Sequence, residues 1–197
     1  MTIGITSCLM IILYVSHELS YDKFHTDAER IYQVGLHGKM GGQDIRVSST
    51  CPPMAEALVA DIPEVEAATR IAPMYQPVVK NGEKILNEEK VFFADSNFFQ
   101  FFSYRLKEGD IETALKEPNT VVLMEIMATK YFGDQNPMGG LLVMGSENKT
   151  FKVTGIAETP PTNSHFTYNM LVSSVSSDNL KSGIWLNNFM YTYFKTK

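Results

Sequence analysis

The chain has 197 residues, of which 44% are hydrophobic, and a formal net charge of -5 at pH 7. This length and composition provide one good-sized core or two small subdomains. Lys and Arg are spread along the chain without a basic block. Nucleic acid is therefore not an expected partner, because phosphate contacts need clustered cations.

Neither cysteine suggests a disulfide or a metal site. Cys8 lies in an apolar N-terminal run and Cys51 precedes Pro52-Pro53, so they are not expected to pair, and their spacing matches no zinc motif. A core of this size does not need disulfides, so an extracytoplasmic location remains compatible with the sequence.

The N-terminal run Ile3–Val15 has no charged residue, and polar residues begin together at Ser16. The run has 13 residues, fewer than the ~20 that cross a bilayer. It also lacks the basic start and the small-residue cleavage motif of a signal peptide. Three interpretations are open: the outer end of a transmembrane helix, a buried core helix, or an atypical signal or anchor. The abrupt polar onset favours the first, so residues 1–24 are predicted to be the end of a transmembrane helix with its exit into water, and residues 25–197 a domain that follows this exit.

Strands dominate the rest of the predicted secondary structure. Asn81-Gly82 predicts a tight hairpin within Val78–Leu86. Apolar runs and alternation predict further strands at Ile31–Leu36, Gln43–Ser49, Val65–Ile71, Val91–Ala94, Tyr104–Lys107, Thr120–Leu123, Leu141–Met144, Phe151–Ala157, His165–Val172 and Phe189–Phe194. The last of these has aromatic residues on both faces, so it is either buried on both sides or lacks a partner strand.

Short helices are predicted between the strands. Thr26-Asp-Ala-Glu29 has the form of a capping box, which predicts a helical turn after Thr26. Pro52-Pro53 opens a second predicted helix, with Met54, Leu58 and Ile62 facing inward. A third follows Asp95, and its Phe98, Phe99, Phe101 and Phe102 are predicted to form a core plug. One or two helical turns are predicted at Ile111–Leu115, and a last helix at Glu125–Phe132, ended by Gly133. Interleaving without regular βαβ spacing indicates the α+β class.

No residue pattern predicts catalysis, a cofactor or a metal. His17, His25, His37 and His165 have no metal-ligand spacing. Ser164 and His165 are neighbours, and neighbouring side chains on a strand face opposite sides, so they do not form a nucleophile–base pair. The carboxylates are scattered, which gives no paired-carboxylate site.

Two aromatic residues are candidates for a contact surface. Trp185, the only tryptophan, is interpreted first as a core anchor, with an exposed contact residue as the alternative. Tyr75, in the segment Tyr75–Val79, is the second candidate.

Several stretches together resemble a known family. They are HELSYDKFHTDAERIYQV, CPPMAEALVADIPEVEAATRI, FFADSNFFQFFSYRLKEGDIETALKEPNTVVL, ATKYFGDQNPMG and FKVTGIAETPPTNSHF. In this order they resemble the periplasmic core domain of MacB-like, FtsX-type ABC transporter permeases, in particular those of the Bacteroides group. The resemblance extends over the whole chain.

The resemblance implies a fold with a porter-like α/β part and an inserted β-rich subdomain, preceded by the end of a transmembrane helix. It implies a domain on the periplasmic side of the inner membrane that transmits ATP-driven motion for export or release of a substrate. The implied partners are an ABC ATPase, a second permease in a homodimer or pair, the membrane, and a periplasmic adaptor or a substrate protein or lipid. The chain itself is expected not to be an enzyme. Leu19, Tyr21 and Phe24 are the candidate coupling residues.

The chain also departs from the family. The family continues beyond the position of Lys197 with more of the porter-like part and a second transmembrane helix, so the C-terminal part is expected to be truncated, with Phe189–Phe194 near an unfinished sheet edge. An alternative function is a membrane-tethered extracytoplasmic sensor or ligand-binding domain, in which Trp185 and Tyr75 contact the ligand.

Overall fold

The fold is described by a computed structural model of residues 2–197. Within these residues the helices are α1 (Thr2–Glu18), α2 (Met54–Asp61), α3 (Phe98–Phe101) and α4 (Glu125–Phe132), with short 3-10 helices at Ala28–Arg30, Ser174–Ser176 and Asp178–Lys181. The strands are β1 (Ile31–Gln33), β2 (Leu36–Met40), β3 (Gln43–Val47), β4 (Val65–Pro73), β5 (Val78–Asn81), β6 (Lys84–Asn87), β7 (Val91–Ala94), β8 (Leu106–Gly109), β9 (Thr120–Met124), β10 (Leu141–Met144), β11 (Lys149–Ala157), β12 (Met170–Ser173) and β13 (Tyr191–Thr196).

One mixed sheet of eleven strands carries the fold, in the order β1-β13-β4-β7-β12-β9-β11-β10-β5-β6, with β8 beside β11. The pairs β7–β12 and β9–β11 are parallel and the other pairs are antiparallel. Strands β2 and β3 form a separate hairpin. The α+β class predicted from the sequence is confirmed.

The central strands are apolar because both faces of the sheet are covered. On β9, Val121 and Leu123 face a core that contains Met127 and Tyr131 of α4. Val122 between them faces a second core, which contains the phenylalanines of α3. This alternation follows from the two-residue period of a strand.

The second core is aromatic, as the sequence predicted. Phe98, Phe99, Phe101 and Phe102 are each at most 7% exposed. Phe98 packs edge-to-face on Tyr168 at 6.0 Å and Phe102 packs edge-to-face on Tyr193 at 5.3 Å. Aromatic pairs at such angles are stabilising beyond their buried area. The plug therefore joins α3 to β13 and to the segment before β12.

Predicted elements with strong local signals match the structure. Helix α4 and strands β7 and β10 have the predicted bounds, and the Asn81-Gly82 turn closes the β5–β6 hairpin. Gly133 ends α4 with a positive φ of 60°, which glycine adopts without a steric penalty. Gly109 has φ 102°, and a Cβ there would lie 2.6 Å from the Thr154 carbonyl oxygen, so the approach of β8 to β11 requires glycine.

Other predicted elements differ from the structure. Residues Ile111–Leu115 form turns rather than a helix, and the extended segment predicted at His165–Val172 becomes a strand only at Met170. Ala55 is the buried residue of α2, whereas the predicted inward residue Ile62 is 39% exposed. Propensity signals over four or five residues are too weak to override tertiary contacts.

The C-terminal strand is not itself an open edge, although it lies next to the end strand of the sheet. Strand β13 lies between β1 and β4 and pairs with both. Thr192 at its centre is fully buried. The short strand β1 therefore covers the side that the sequence left open.

Helix α1 does not pack into the core. Its large apolar residues from Ile3 to Val15 are 45–84% exposed, so the interpretation as a buried core helix is wrong. Within residues 2–197, no helix combines the length and the apolar character needed to cross a bilayer.

The two-sided core gives a test of the fold. Leu171 of β12 is fully buried in the aromatic core, so Leu171→Ala should lower the free energy of unfolding by about 2–5 kcal/mol. Leu186 is 91% exposed, so Leu186→Ala is the matched control and should change it by less than about 0.5 kcal/mol. Urea unfolding followed by circular dichroism measures both. Equal effects of the two substitutions would contradict the described core.

Candidate coupling site at the exit of helix α1

The chain leaves α1 through a tight turn. The Leu19 and Ser20 amides donate to the Val15 and His17 carbonyls at 2.9 and 3.0 Å, which satisfies two carbonyl groups at the end of the helix. Asp22 then adopts a left-handed conformation with φ 57°. Aspartate tolerates this region better than most residues, since its short side chain can bond locally. The turn redirects the chain from α1 toward the core.

Residues Ser20–Asp22 are held by the loop Asn163–His165, and we call this contact the junction. The Asp22 amide donates to the Asn163 carbonyl at 2.9 Å, and the Asn163 side-chain amide donates to the Ser20 carbonyl at 2.9 Å. The His165 amide donates to Asp22 Oδ1 at 2.9 Å. His165 Nδ1 lies 2.7 Å from Asp22 Oδ2. Bonds in both directions fix the position and the orientation of the turn.

Aromatic rings extend the junction on both sides. The Tyr21 ring lies 4.5 Å from the His165 ring and 5.5 Å from the His17 ring of α1. Phe24 packs on Tyr104 at 5.5 Å. The exit segment, by which we mean residues 19–30, is therefore continuous with the aromatic core on one side and with the last turn of α1 on the other.

His25 anchors the segment inside the core. It is 7% exposed, and its Nδ1 accepts the Ser103 amide at 3.1 Å. Burial lowers the pKa of His25 and outweighs the opposing charge of Asp22, so the neutral ring is favoured. With Nδ1 as the acceptor, the neutral ring carries its proton on Nε2.

The capping box predicted at Thr26 is not formed. The 3-10 helix Ala28–Arg30 follows Asp27 without a side-chain cap. Thr26 instead bonds Ser103, whose hydroxyl accepts the Thr26 amide at 2.8 Å. A tertiary partner has replaced the local one, which a capping pattern in sequence cannot anticipate.

A closed ring of four ion pairs lies just beyond. Arg30 contacts Asp27 at 2.6 Å and Glu66 at 2.9 Å, and Lys195 contacts Asp27 at 3.2 Å and Glu66 at 3.4 Å. Arg30 also donates to the Thr196 carbonyl at 2.8 Å. The hydrogen bond between Asp27 and Arg30 is the main reason that the pKa of Asp27 lies below its ordinary value and the pKa of Arg30 above its own. The ring ties the exit segment to β4 and β13.

The structure brings two of the three predicted coupling residues together. Tyr21 and Phe24 contact the junction and the aromatic core, whereas Leu19 is 64% exposed. Their role in coupling stays a prediction.

The predicted contact residues lie elsewhere, and both are exposed. Trp185 is 53% exposed, so its interpretation as a core anchor is wrong, and Tyr75 is 83% exposed. Since Tyr191 pairs with Ile71 and Thr196 with Val65, the segment that contains Tyr75 leaves β4 at the end of the strand pair where the segment that contains Trp185 leads into β13. Arg30 and Lys195 lie at the opposite end.

Sequence reasoning missed Asp22, Asn163 and the ion-pair ring, and it considered His165 only for catalysis. Asp22 and His165 are 143 residues apart, and no local pattern links them. The stretches that contain them, HELSYDKFH and PPTNSHF, were both among those that carried the family resemblance.

Comparison with known proteins settles the family. The model of the MacB-like periplasmic core domain matches residues 1–195. The chain belongs to this family. It is the periplasmic domain of a MacB-like ABC-type transporter permease. No curated protein matches the sequence.

Solved structures share the fold of this MacB-like domain. A domain described as a permease protein of Porphyromonas gingivalis is 24% identical with a TM-score of 0.76, covering 88% of this chain and 75% of that one. The periplasmic region of MacB from Actinobacillus actinomycetemcomitans is 14% identical with a TM-score of 0.59, covering 85% and 75%. The extracellular domain of the noncanonic ABC-type transporter YknZ from Gram-positive bacteria is 14% identical with a TM-score of 0.59. The match covers 85% of this chain and 82% of that one. At these identities the likeness establishes the fold.

The junction can be tested by hydrogen exchange. Asn163→Ala removes two hydrogen bonds that one amide donates to Ser20, a loss of about 1–2 kcal/mol. If the junction opens locally, the Asp22 amide should exchange roughly tenfold faster. Asn169→Ala is the control, since Asn169 donates the same kind of bond to the Glu89 carbonyl away from the junction. Unchanged exchange at Asp22 in Asn163→Ala would show that the side-chain bonds do not hold the turn.

The buried His25 predicts a pH dependence of stability. Burial holds its pKa in the folded chain below the ordinary value of 6.5, so the unfolded chain binds the proton more tightly. The contribution of the neutral ring to stability is therefore complete above pH 6.5 and is lost as the pH falls below it. His25→Asn places an acceptor near the Nδ1 position without a titrating group. Between pH 7.5 and 5.5, wild type should lose more unfolding free energy than His25→Asn, measured by urea titration at each pH, and parallel profiles would count against a buried neutral His25.

Proposed function

We propose that this MacB-like domain transmits ATP-driven motion from a partner ATPase, through helix α1, to the periplasmic side, where it serves the export or release of a substrate. The observation that carries the proposal is the junction between residues 20–22 and residues 163–165. A helix joined to a domain by a flexible linker moves without turning it. Here the exit segment is bonded within four residues of the end of α1, so a displacement of the helix acts on the domain directly.

The ion-pair ring supports a path beyond the junction. It connects the exit segment to β4 and β13, which are paired along six residues of β13. A strand of six residues spans ~20 Å. The far end of this strand pair leads into the segments that carry Tyr75, Trp185 and Leu186, all exposed. Motion at the junction would therefore reach these two segments.

The exposure of α1 supports a membrane location for the helix. Its residues from Ile3 to Val15 have no charge and large exposed apolar surfaces. Keeping that surface in water costs about 25 cal/mol per Å² relative to burial, and lipid would remove the cost. We therefore propose that α1 is the outer end of the first transmembrane helix, with the domain on the periplasmic face of the inner membrane.

The proposed partners follow from this arrangement. MacB-like permeases work with an ABC ATPase and the membrane. We propose that a second permease copy pairs with this one, and that a periplasmic adaptor or a substrate protein or lipid contacts the Tyr75–Trp185 end. Chemistry is assigned to the ATPase and not to this domain.

Substitution at the junction of the full transporter tests the proposal. Tyr21→Asp places an unpaired charge beside His165 and should reduce substrate movement per ATP hydrolysed at least about tenfold, while hydrolysis continues. Leu19→Asp tests the exposed predicted coupling residue and should have the same effect if that side chain contacts the moving membrane portion. Ile111→Asp is the control, because Ile111 is 44% exposed in a turn outside the junction.

Transport and ATPase rates in reconstituted vesicles measure the coupling. Unchanged transport in Tyr21→Asp, with the junction shown to be open by exchange at Asp22, would overturn the coupling role. A membrane-tethered sensor would then become the better description of the domain.

A further inference from the structure

A cavity of about 380 Å³ lies against the junction. Its wall contains the rings of Phe102, Tyr104, Phe166 and Tyr193, with Asp22 and His25 from the exit segment. Binding sites for small ligands have volumes of about 300–1,000 Å³ and combine apolar walls with a few polar groups. This cavity is at the small end of that range, so it fits a head group rather than a large substrate.

The rings surround the cavity at steep mutual angles. Phe102 and Tyr193 are inclined at 79°, Tyr104 and Phe166 at 65°, and Phe102 and Tyr104 at 56°, with centroids 5.3–6.4 Å apart. Rings from several elements therefore line one cavity, which is partly open to solvent. The faces of aromatic rings carry partial negative charge and attract organic cations.

Among the described residues, the lining also contains one carboxylate, that of Asp22, which is paired with His165. None of the described lining residues is Lys or Arg. His25 adds no positive charge, since burial favours its neutral form. Each Asp22 oxygen accepts one bond from His165, and a carboxylate oxygen can accept two. Asp22 therefore retains acceptor capacity toward the cavity.

Two polar atoms of the lining make no hydrogen bond within the described residues. The Tyr193 hydroxyl makes no hydrogen bond within the described residues, and His25 uses only Nδ1, which leaves its Nε2–H as a donor. Groups of this kind orient a ligand without fixing its charge. The carboxylate and the rings determine the charge preference.

We propose that this cavity binds an organic ammonium group of the size of choline, held by the aromatic rings and the Asp22 carboxylate. The ammonium could belong to a lipid head group or to a free small amine. The cavity is bounded by the exit segment, by His165 and by β1 and β13, so an occupant would bridge the two sides of the junction. Binding of a free amine does not depend on the coupling function, whereas lipid as the source rests on the proposed membrane location of α1.

Titration of the full chain with choline tests the proposal. The chain is held in a nonionic detergent at constant ionic strength, and binding is followed by NMR shifts of the His25 and Tyr193 signals. Choline should bind saturably, and its uncharged isostere 3,3-dimethylbutan-1-ol should bind at least fivefold more weakly. Asparagine also tolerates the left-handed backbone of residue 22. Asp22→Asn therefore removes the negative charge and should weaken choline binding on the order of tenfold. Asp178→Asn, outside the cavity, should not change it.

A second pair of variants separates binding from loss of the junction. Tyr193→Phe keeps the ring and should retain binding within about threefold, whereas Tyr193→Leu removes it and should weaken binding on the order of tenfold. Equal binding of choline and its isostere, equal binding by wild type and Asp22→Asn, or no saturable binding of choline would each overturn the proposal.

Nanodiscs distinguish the two sources of the ammonium group. If a lipid head group occupies the cavity, phosphatidylcholine discs should shift the same signals and prevent choline binding, while phosphatidylglycerol discs should leave choline binding intact. If a free amine is the ligand, choline should bind equally in both discs. The titration involves no ATPase, so it can fail while the coupling proposal stands, and the reverse also holds.

Discussion

The arrangement of the domain depends on how the chain satisfies its backbone groups where it leaves α1. A helix end leaves carbonyl groups without partners, and a redirected chain needs new ones. Here the loop Asn163–His165 supplies both donors and acceptors to Ser20 and Asp22. Because the two segments are 143 residues apart, the contact exists only in the folded chain. The exit of α1 is thus fixed by the tertiary fold rather than by its own sequence.

The aromatic core makes this junction stiff. The Tyr104 hydroxyl bonds Ser164 and the Phe166 carbonyl, each at 2.9 Å, so the loop that holds Asp22 is attached to the same core that holds His25. The ion-pair ring fixes the orientation of the exit segment more than it stabilises the fold. Its members are partly exposed, and exposed pairs contribute little to stability. The ring instead specifies how the exit segment sits on β4 and β13, which is the property that a transmitting element needs.

Local signals were enough to predict much of the fold but little of the site. Helix α4 and strand β7 follow from apolar runs bounded by a glycine or an aspartate, and four phenylalanines in five residues can hardly lie outside a core. The segment before Met170 was wrongly predicted as extended because its alternation resembles a strand. In the structure it is a loop, in which the Asn169 amide bonds the Lys90 carbonyl. Leu19, Tyr21 and Phe24 were chosen for their position after the apolar run. The contact of Tyr21 with His165 could not be predicted, since pairing over such a separation leaves no trace in one sequence.

The same geometry explains why a domain without a catalytic pattern can still hold a specific site. At the junction, rings and polar groups from several elements meet at one place and leave a cavity between them. The cavity at Asp22 is bounded by the exit segment, the loop at His165 and the strands β1 and β13. A ligand there would add contacts to both sides of the junction, and ligand binding to one arrangement stabilises that arrangement. An ammonium compound bound in the cavity would therefore make the exit of α1 more rigid, whether it is a lipid head group or a free amine.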